Sequence, residues 1–522
     1  RGFELSGVAL DDTKSARFKE IKQQLSMLSN KFSKNVLQAT NSWKKIVSVD
    51  ELKGFSEAEL SKVRSKKGYE INLQMPVYID LMTYADSREL REEVYKAYIS
   101  RASDIGITPK KFDNQKIMNE ILQLRLELSK LVGFSNYAEY SVESKMVDSP
   151  DVVVDFLNNL IELSLPQAKT ELNELEHFAG HKLMPWDLMY FSEKLKQNKF
   201  NFKSSDLKPY FPEKRVFEGL FETIQNLYGI KLTEIDEECY HRDARVIELK
   251  DNNGLMGKIY LDVYARENKR GGAWMSDYQG LYKDSLPVAF VVCNLNSPSD
   301  NKPALFDFDE IVTIFHEFGH ALHHLLTKVP FPCAAGISGV PWDGVELPSQ
   351  YMENFCYERE VIDLISGHWE TGEKLPDELF KKIINSKNFQ SGLQMLRQCE
   401  FALWDIKTHI SKNDTYEILS EVREITSLIS TIKENRFLNS FSHIFSGGYA
   451  AGYFSYKWAE VLAADAYEYV KDNGGIGSKS SIDFRKEILE IGGSLDFMEQ
   501  YVKFRGSKPK TDGLLKASGI SV

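Results

Sequence analysis

Phe18, Ile21, Leu25, Leu28, Phe32 and Val36 recur at three- and four-residue steps behind the start signal Asp11-Asp12-Thr13. That period marks one face of a helix, so the stripe predicts a long helix of about seven turns, folded as a hairpin against a neighbour. Helical patterns run from Pro150 to Gly229, and the Leu-Pro and Met-Pro steps at 165–166 and 184–185 predict breaks. The period then changes. Arg245–Leu249 and Gly257–Tyr264 flank the turn Asp251-Asn-Asn-Gly254 and predict a β-hairpin, with Gly271–Trp274 and Pro287–Val292 as further candidate strands. After Phe306 helical patterning returns almost to the end, interrupted near 333–345 and 442–452. The predicted fold is mainly α-helical with a small central β-sheet. It divides into a helical lobe at 1–150, a mixed helical and β region at 151–305, and a helical region at 306–522 that carries the candidate chemistry.

Composition narrows the function. The 522 residues are 42% hydrophobic and 27% charged, which excludes a mainly disordered chain. The net charge of −11 leaves no basic footprint for nucleic acid or an anionic membrane. Five widely spaced cysteines without a Cys-x-x-Cys pair argue against a disulfide framework and fit a reducing compartment, the cytoplasm. The longest apolar run, Pro287–Cys293, is far short of a membrane span. The first residues carry no signal-peptide pattern and no initiating methionine, so the chain reads as a trimmed piece. Gly474-Gly-Ile-Gly-Ser478 mimics a phosphate loop but lacks its Gly-Lys-Ser/Thr ending, and predicts a helix-ending turn instead.

The chemistry concentrates in Asp307–Leu326. Asp307 and Glu310 form a capping-box pattern that sets the helix start. On that helix His316 and His320 lie four residues apart, one above the other, and Glu317 falls beside the face they share. This is H-E-x-x-H, a spacing that lets two imidazoles bind one Zn²⁺ while the glutamate serves as general base. His323 and His324 in the next turn are expected on the helix surface or as outer supports. A catalytic zinc keeps three protein ligands and one open position. In Trp342–Asn354, Glu346 is the candidate third ligand and Glu353 the candidate acceptor for an imidazole N–H, while spacing alone leaves Asp343 open as an alternative ligand. Ligand type points to zinc, with Co²⁺ or Mn²⁺ able to substitute.

A third segment, Phe441–Trp458, holds Gly447, Gly448 and Gly452, which allow close backbone approach to a ligand. Along it His443, Tyr449, Tyr453 and Tyr456 offer neutral hydrogen-bond donors of the kind that stabilise a developing oxyanion.

Together with Leu261–Trp274, Phe315–His320, Gly336–Gly339 and Val345–Gln350, these segments resemble the thimet-oligopeptidase family of zinc peptidases over nearly the whole chain. The resemblance implies one zinc per chain held by His316, His320 and Glu346, which selects Glu346 over Asp343, and Glu317 as the catalytic carboxylate. It implies that His443, Tyr453 and Tyr456 meet the substrate carbonyl and scissile region, with Tyr449 on the same loop. It also implies that Gly271, Gly272, Ala273, Gly336 and Gly339 line a substrate channel. The implied molecule is a two-lobed monomer with the zinc on the floor of a deep channel that admits short unfolded peptides, an oligopeptidase cleaving internal bonds. Phe454 and Ser507 stand where the family usually has tyrosine and arginine. The family also implies a further helical segment ahead of Arg1, part of one channel wall. Two other readings are carried: a carboxy-dipeptidase on the same fold, and a truncated chain that binds zinc or peptide without turnover.

Overall fold

The structure, a computed structural model, describes residues 2–200, 206–266, 269, 272–295, 297–298, 302–411 and 414–520, with Ala58 described for its backbone alone. The chain forms two compact units, Arg1–Lys199 with Gln390–Phe454, and Phe200–Phe389 with Ser455–Val522. Each unit is assembled from separated stretches, so positions 150 and 305 fall inside units rather than between them. No described helix is long and apolar enough to cross a membrane.

In the first unit the predicted stripe forms the helix Asp12–Ser42, opened by Asp11, whose side chain accepts from the Lys14 N–H. Phe18 and Ile21 pack against Leu124 and Leu128 of the helix Gln115–Leu131. Arg17 spans the same pair, reaching both Glu127 oxygens at 2.7 and 2.8 Å. The expected break at Pro166 does not occur: one helix runs from Pro150 to Ala179 with Pro166 inside it. The missing N–H falls on the exposed side, where water can satisfy the freed carbonyl. The opposite side, with Leu157, Ile161, Ala168 and Leu172 buried, packs along the helix Ser391–Ile410 and keeps the helix continuous through Pro166. The Met-Pro step does end the pattern, with Gly180 capping the helix in left-handed conformation. A small antiparallel sheet went unpredicted: β1 (Lys44–Val47), β2 (Arg64–Ser65) and β3 (Gly68–Asn72), ordered β1-β3-β2.

The second unit carries the central sheet, ordered β4-β5-β6-β8-β7. The hairpin is β5 (Arg245–Asp251) with β6 (Gly254–Tyr264), and β4 (Lys231–Ile235), also unpredicted, extends it at one edge. β8 (Val288–Leu295) runs parallel to β6 and antiparallel to the edge strand β7. β7 spans Trp274–Gln279, so the strand expected at Gly271–Trp274 begins where that stretch ends. Gly272 has φ +101°, a left-handed turn conformation incompatible with a ladder, and Gly271 lies outside the described residues. After residue 306 helices prevail as expected, and Gly474–Ser478 is a helix-ending turn, with the Gly475 N–H bonded to the Val470 carbonyl at 2.9 Å.

One buried ion cluster ties the first unit together. Asp187, with no exposed surface, accepts from Arg88 at 2.7 and 2.9 Å and from the equally buried Arg91 at 3.1 Å. Burial alone would raise the Asp187 carboxyl, but Arg88, the Met184 N–H and Arg91 hold it below the ordinary range. A depressed carboxyl stabilises the folded state above its unfolded pKa, and that contribution is lost as pH falls through the folded one. Asp187→Asn should therefore cost about 3–5 kcal/mol at pH 7, because Arg91 is left buried and unpaired. In urea unfolding, the gap to the wild type should shrink below about pH 4.

Candidate metal centre

The helix Phe308–Leu325 starts where the capping box placed it, with the Asp307 N–H donating to Glu310 at 2.8 Å. It packs against β6, β7 and β8 and against the helix Leu347–Phe355. The latter contact explains a glycine inside the histidine motif. A Cβ on Gly319 would stand 2.5 Å from the Pro348 carbonyl oxygen and 2.5 Å from Ser349 Cα. Only a bare backbone lets these helices meet so closely, and the meeting brings Glu346, at the start of the second helix, over the two histidines.

His316 Nε2 and His320 Nε2 stand 3.4 and 3.1 Å from Glu346 Oε2. Among the described residues these three form the cluster able to hold a metal ion, with ligand atoms all within 4.8 Å of one another. Asp343 is buried and stands outside it. An ion about 2.0–2.1 Å from each donor in tetrahedral geometry needs donors about 3.3–3.4 Å apart. The residues present fit Zn²⁺ by donor type and by spacing.

The electrostatics point the same way. Burial would lower His316, yet hydrogen bonds to Glu346 and Glu353 push it up to about 10. Burial would raise Glu346, yet the two histidines hold it well below the ordinary range. The centre is thus built to host positive charge. His316 Nδ1 lies 2.6 Å from Glu353 Oε1, which leaves Nε2 as the ligating nitrogen and orients the ring. Ser349 Oγ, 2.9 Å from Glu346 Oε2, fixes the third donor. The sequence reading missed Ser349, although a serine three residues into a helix from its first carboxylate reaches back over the first turn.

Glu317 is 5% exposed, and its Oε2 has no hydrogen-bond partner among the described residues. Burial pushes its carboxyl above the ordinary value, while His316 and His320 oppose that shift. A buried carboxylate with a free oxygen beside a cation site is fit to hold a proton in transit. His323 and His324 are not on the surface: they are 0% and 1% exposed. The helix is enclosed between sheet and helix, so polarity did not mark an outer face. Burial pushes His323 down to about 3, and His324 Nε2 contacts the Gln279 carbonyl of β7 at 2.8 Å.

The other candidates are distributed as follows. Gly336 (φ +60°) presses on His324, whose Nδ1 would lie 2.7 Å from a Cβ there, and Gly339 sits in the same loop. Gly272 and Ala273 lead into β7, with the Gly272 carbonyl accepting from Asn294 at 2.7 Å. His443, Tyr449 and Tyr453 are brought together in the first unit, with the His443 ring 5.9 Å from Tyr449 and 5.7 Å from Tyr453. Tyr456 opens the helix Ser455–Asp472 of the second unit, which also holds His316, His320 and Glu346. Burial lowers His443 and pushes Tyr453 up to about 12, so both side chains are neutral at pH 7. Phe454 is a buried core residue, 1% exposed.

The sequence profile of peptidase family M3 matches residues 81–520. Oligopeptidase A of Escherichia coli (strain K12) is 46% identical over 544 residues, covering 100% of this chain and 80% of that protein. The dipeptidyl carboxypeptidase of the same organism is 31% identical over 547 residues, covering 100% and 79%. The solved structure of PZ peptidase A with inhibitor 2 shares the fold, with a TM-score of 0.56 at 15% identity over 98% of this chain and 76% of that one. The chain belongs to peptidase family M3 and is a metallopeptidase by family, a class that the His316, His320 and Glu346 cluster fits.

Glu353→Gln should weaken zinc affinity about 10–100-fold, because the His316 ring loses its anionic anchor. Competition with a chromophoric chelator measures this; wild-type affinity would refute the anchoring role.

Proposed function

We propose that the protein is a zinc-dependent oligopeptidase that hydrolyses internal bonds of short unfolded peptides. The observation that carries this reading is the spacing of three donors, His316, His320 and Glu346, beside a buried carboxylate, Glu317, with one unpartnered oxygen. When bound there, Zn²⁺ supplies the positive charge that acidifies water and polarises a carbonyl. Glu317 takes the proton from the attacking water and delivers it to the leaving amine nitrogen; its burial, which raises its proton affinity, suits both halves of that transfer. Tyr456 and His443 donate to the oxyanion, Tyr453 acts in the scissile region, and Tyr449 assists from the same loop. Gly271, Gly272, Ala273, Gly336 and Gly339 belong to the segments that line the substrate channel. The chain works as a monomer with one zinc. A reducing, cytoplasmic setting is supported by five cysteines that form no disulfide.

Internal cleavage is preferred over removal of C-terminal dipeptides because the relative named oligopeptidase A is the more similar of the two, at 46% against 31%. Product lengths from one defined peptide of about ten residues, blocked at its C-terminus, decide this. Internal fragments support the proposal, and cleavage that vanishes on blocking favours the dipeptidyl activity.

Glu317→Gln should retain stoichiometric zinc and lose kcat by at least about 100-fold; turnover near the wild-type level would remove Glu317 from the proton transfer. Tyr456→Phe should lower kcat by about 100-fold with unchanged metal content, and an unchanged kcat would end its oxyanion role.

A further inference from the structure

The segment that carries His443, Tyr449 and Tyr453 has no ladder of its own beyond the single turn Ser442–Phe445. Apart from two turn bonds, Tyr449 N–H to the His443 carbonyl and a shared Gly452 N–H to the Tyr449 carbonyl, both at 3.0 Å, its backbone polar groups draw partners from elsewhere. A single carboxylate supplies three of them. Asp405, on the helix Ser391–Ile410 and 1% exposed, accepts from the N–H groups of Ala451 (3.0 Å), Gly452 (2.9 Å) and Tyr453 (3.0 Å). Ala451 is held at φ +47°, a left-handed conformation that alanine seldom adopts, with no exposed surface. Such strain persists only where surroundings over-determine it. Ser141 adds to the hold, its Oγ standing 3.0 and 3.1 Å from the carbonyls of Ala450 and Ala451.

Behind Asp405 the contacts continue inward. His409, one turn along the same helix, places Nδ1 2.8 Å from the Asp405 carbonyl and 3.1 Å from Asp405 Oδ1. Its Nε2 is 3.1 Å from Nη1 of Arg125, on the helix Gln115–Leu131. A guanidinium only donates, so Nε2 accepts and the ring proton sits on Nδ1, facing Asp405. The other arm of Arg125 donates to the Ile444 carbonyl at 2.7 Å, the residue after His443. Arg125 is buried, and its guanidinium has no direct carboxylate among these contacts; Asp405, reached through His409, is the anion of the row. Burial lowers the Arg125 guanidinium from its ordinary value, with Tyr137 and Asp405 opposing the shift.

We propose that Arg125, His409 and Asp405 form a buried relay that grips the His443–Tyr453 segment at both ends, making Arg125 and Asp405 positioning residues for His443 and Tyr453. None of the three belongs to the His316, His320 and Glu346 cluster. The relay's catalytic consequence rests on the role given to that segment under the proposed function, whereas its mechanical consequence does not. Plain core packing would be served by apolar groups; a carboxylate aimed at three successive N–H groups, backed by a fixed tautomer and a buried cation, specifies one loop conformation.

The full-length chain with Asp405→Asn tests this. One amide oxygen cannot replace two carboxylate oxygens, so amide hydrogen exchange at Ala451–Tyr453 should quicken while the Phe308–Leu325 helix keeps its wild-type rates. On a quenched peptide kcat per folded, zinc-loaded chain should fall on the order of 100-fold with KM unchanged, the unfolding midpoint should fall because Arg125 loses its only anion in the row, and Asp405→Glu should recover part of the kcat. Unchanged exchange overturns the relay. Faster exchange with wild-type kcat overturns the positioning role, as does a kcat that falls only in proportion to folded, zinc-loaded protein. If Asp405→Asn does not fold, Arg125→Lys is read the same way at residues 443–446, since lysine keeps the charge but cannot bridge His409 and Ile444. If Tyr453→Phe retains wild-type kcat, the catalytic reading of the segment fails, and the exchange rates alone decide the relay.

Discussion

The metal centre depends on two helices meeting backbone to backbone at Gly319. Glu346 lies twenty-six residues beyond His320 in sequence, and nothing local brings their side chains together. The Phe308–Leu325 helix presents both imidazoles on one face, but that face becomes a site only where the first turn of Leu347–Phe355 closes on it. With 2.5 Å between a virtual Gly319 Cβ and Pro348, any side chain there would push the third donor off its spacing. The hydrophobic face of the same helix, with Ile311, Ile314, Phe315, Phe318 and Leu322 buried, provides the force that holds the contact.

Around that contact the charges are arranged to receive a cation and to manage a proton. His316 Nδ1 is held by Glu353, which orients the ring and turns Nε2 toward Glu346. Glu317 occupies the adjoining position with one oxygen that has no partner among the described residues, a costly arrangement for packing alone and one that suits the base proposed above. The same economy recurs in the first unit. There a buried carboxylate, Asp405, is spent on backbone N–H groups of a segment without regular structure.

What the sequence revealed and what it hid follow the range of the interactions. The histidine motif, its capping box and the β5–β6 hairpin were legible because their determinants lie within a few residues. Glu353 stands 2.6 Å from His316 Nδ1 because the helix face that follows Glu346 carries it there. Pro166 misled, since the residue-level penalty of proline was outweighed by a helix side packed against Ser391–Ile410. His323 and His324 fall outside the ligand set, as expected, and only the surface placement failed, because enclosure of a helix is a tertiary fact. Strands as short as β1–β4 carry too few alternating positions to stand out. Arg125 and His409 are 284 residues apart, and no periodicity links them. The family resemblance carried the roles assigned to the glycine and tyrosine loop, which composition alone could not rank.

The most direct test of the account is cleavage of an internally quenched peptide of about ten residues before and after chelation, with metal content measured on the same sample. Cleavage that stops on chelation and returns with one equivalent of zinc is the predicted result. Cleavage that persists in metal-free protein, or its absence from protein holding one zinc per chain, would contradict it.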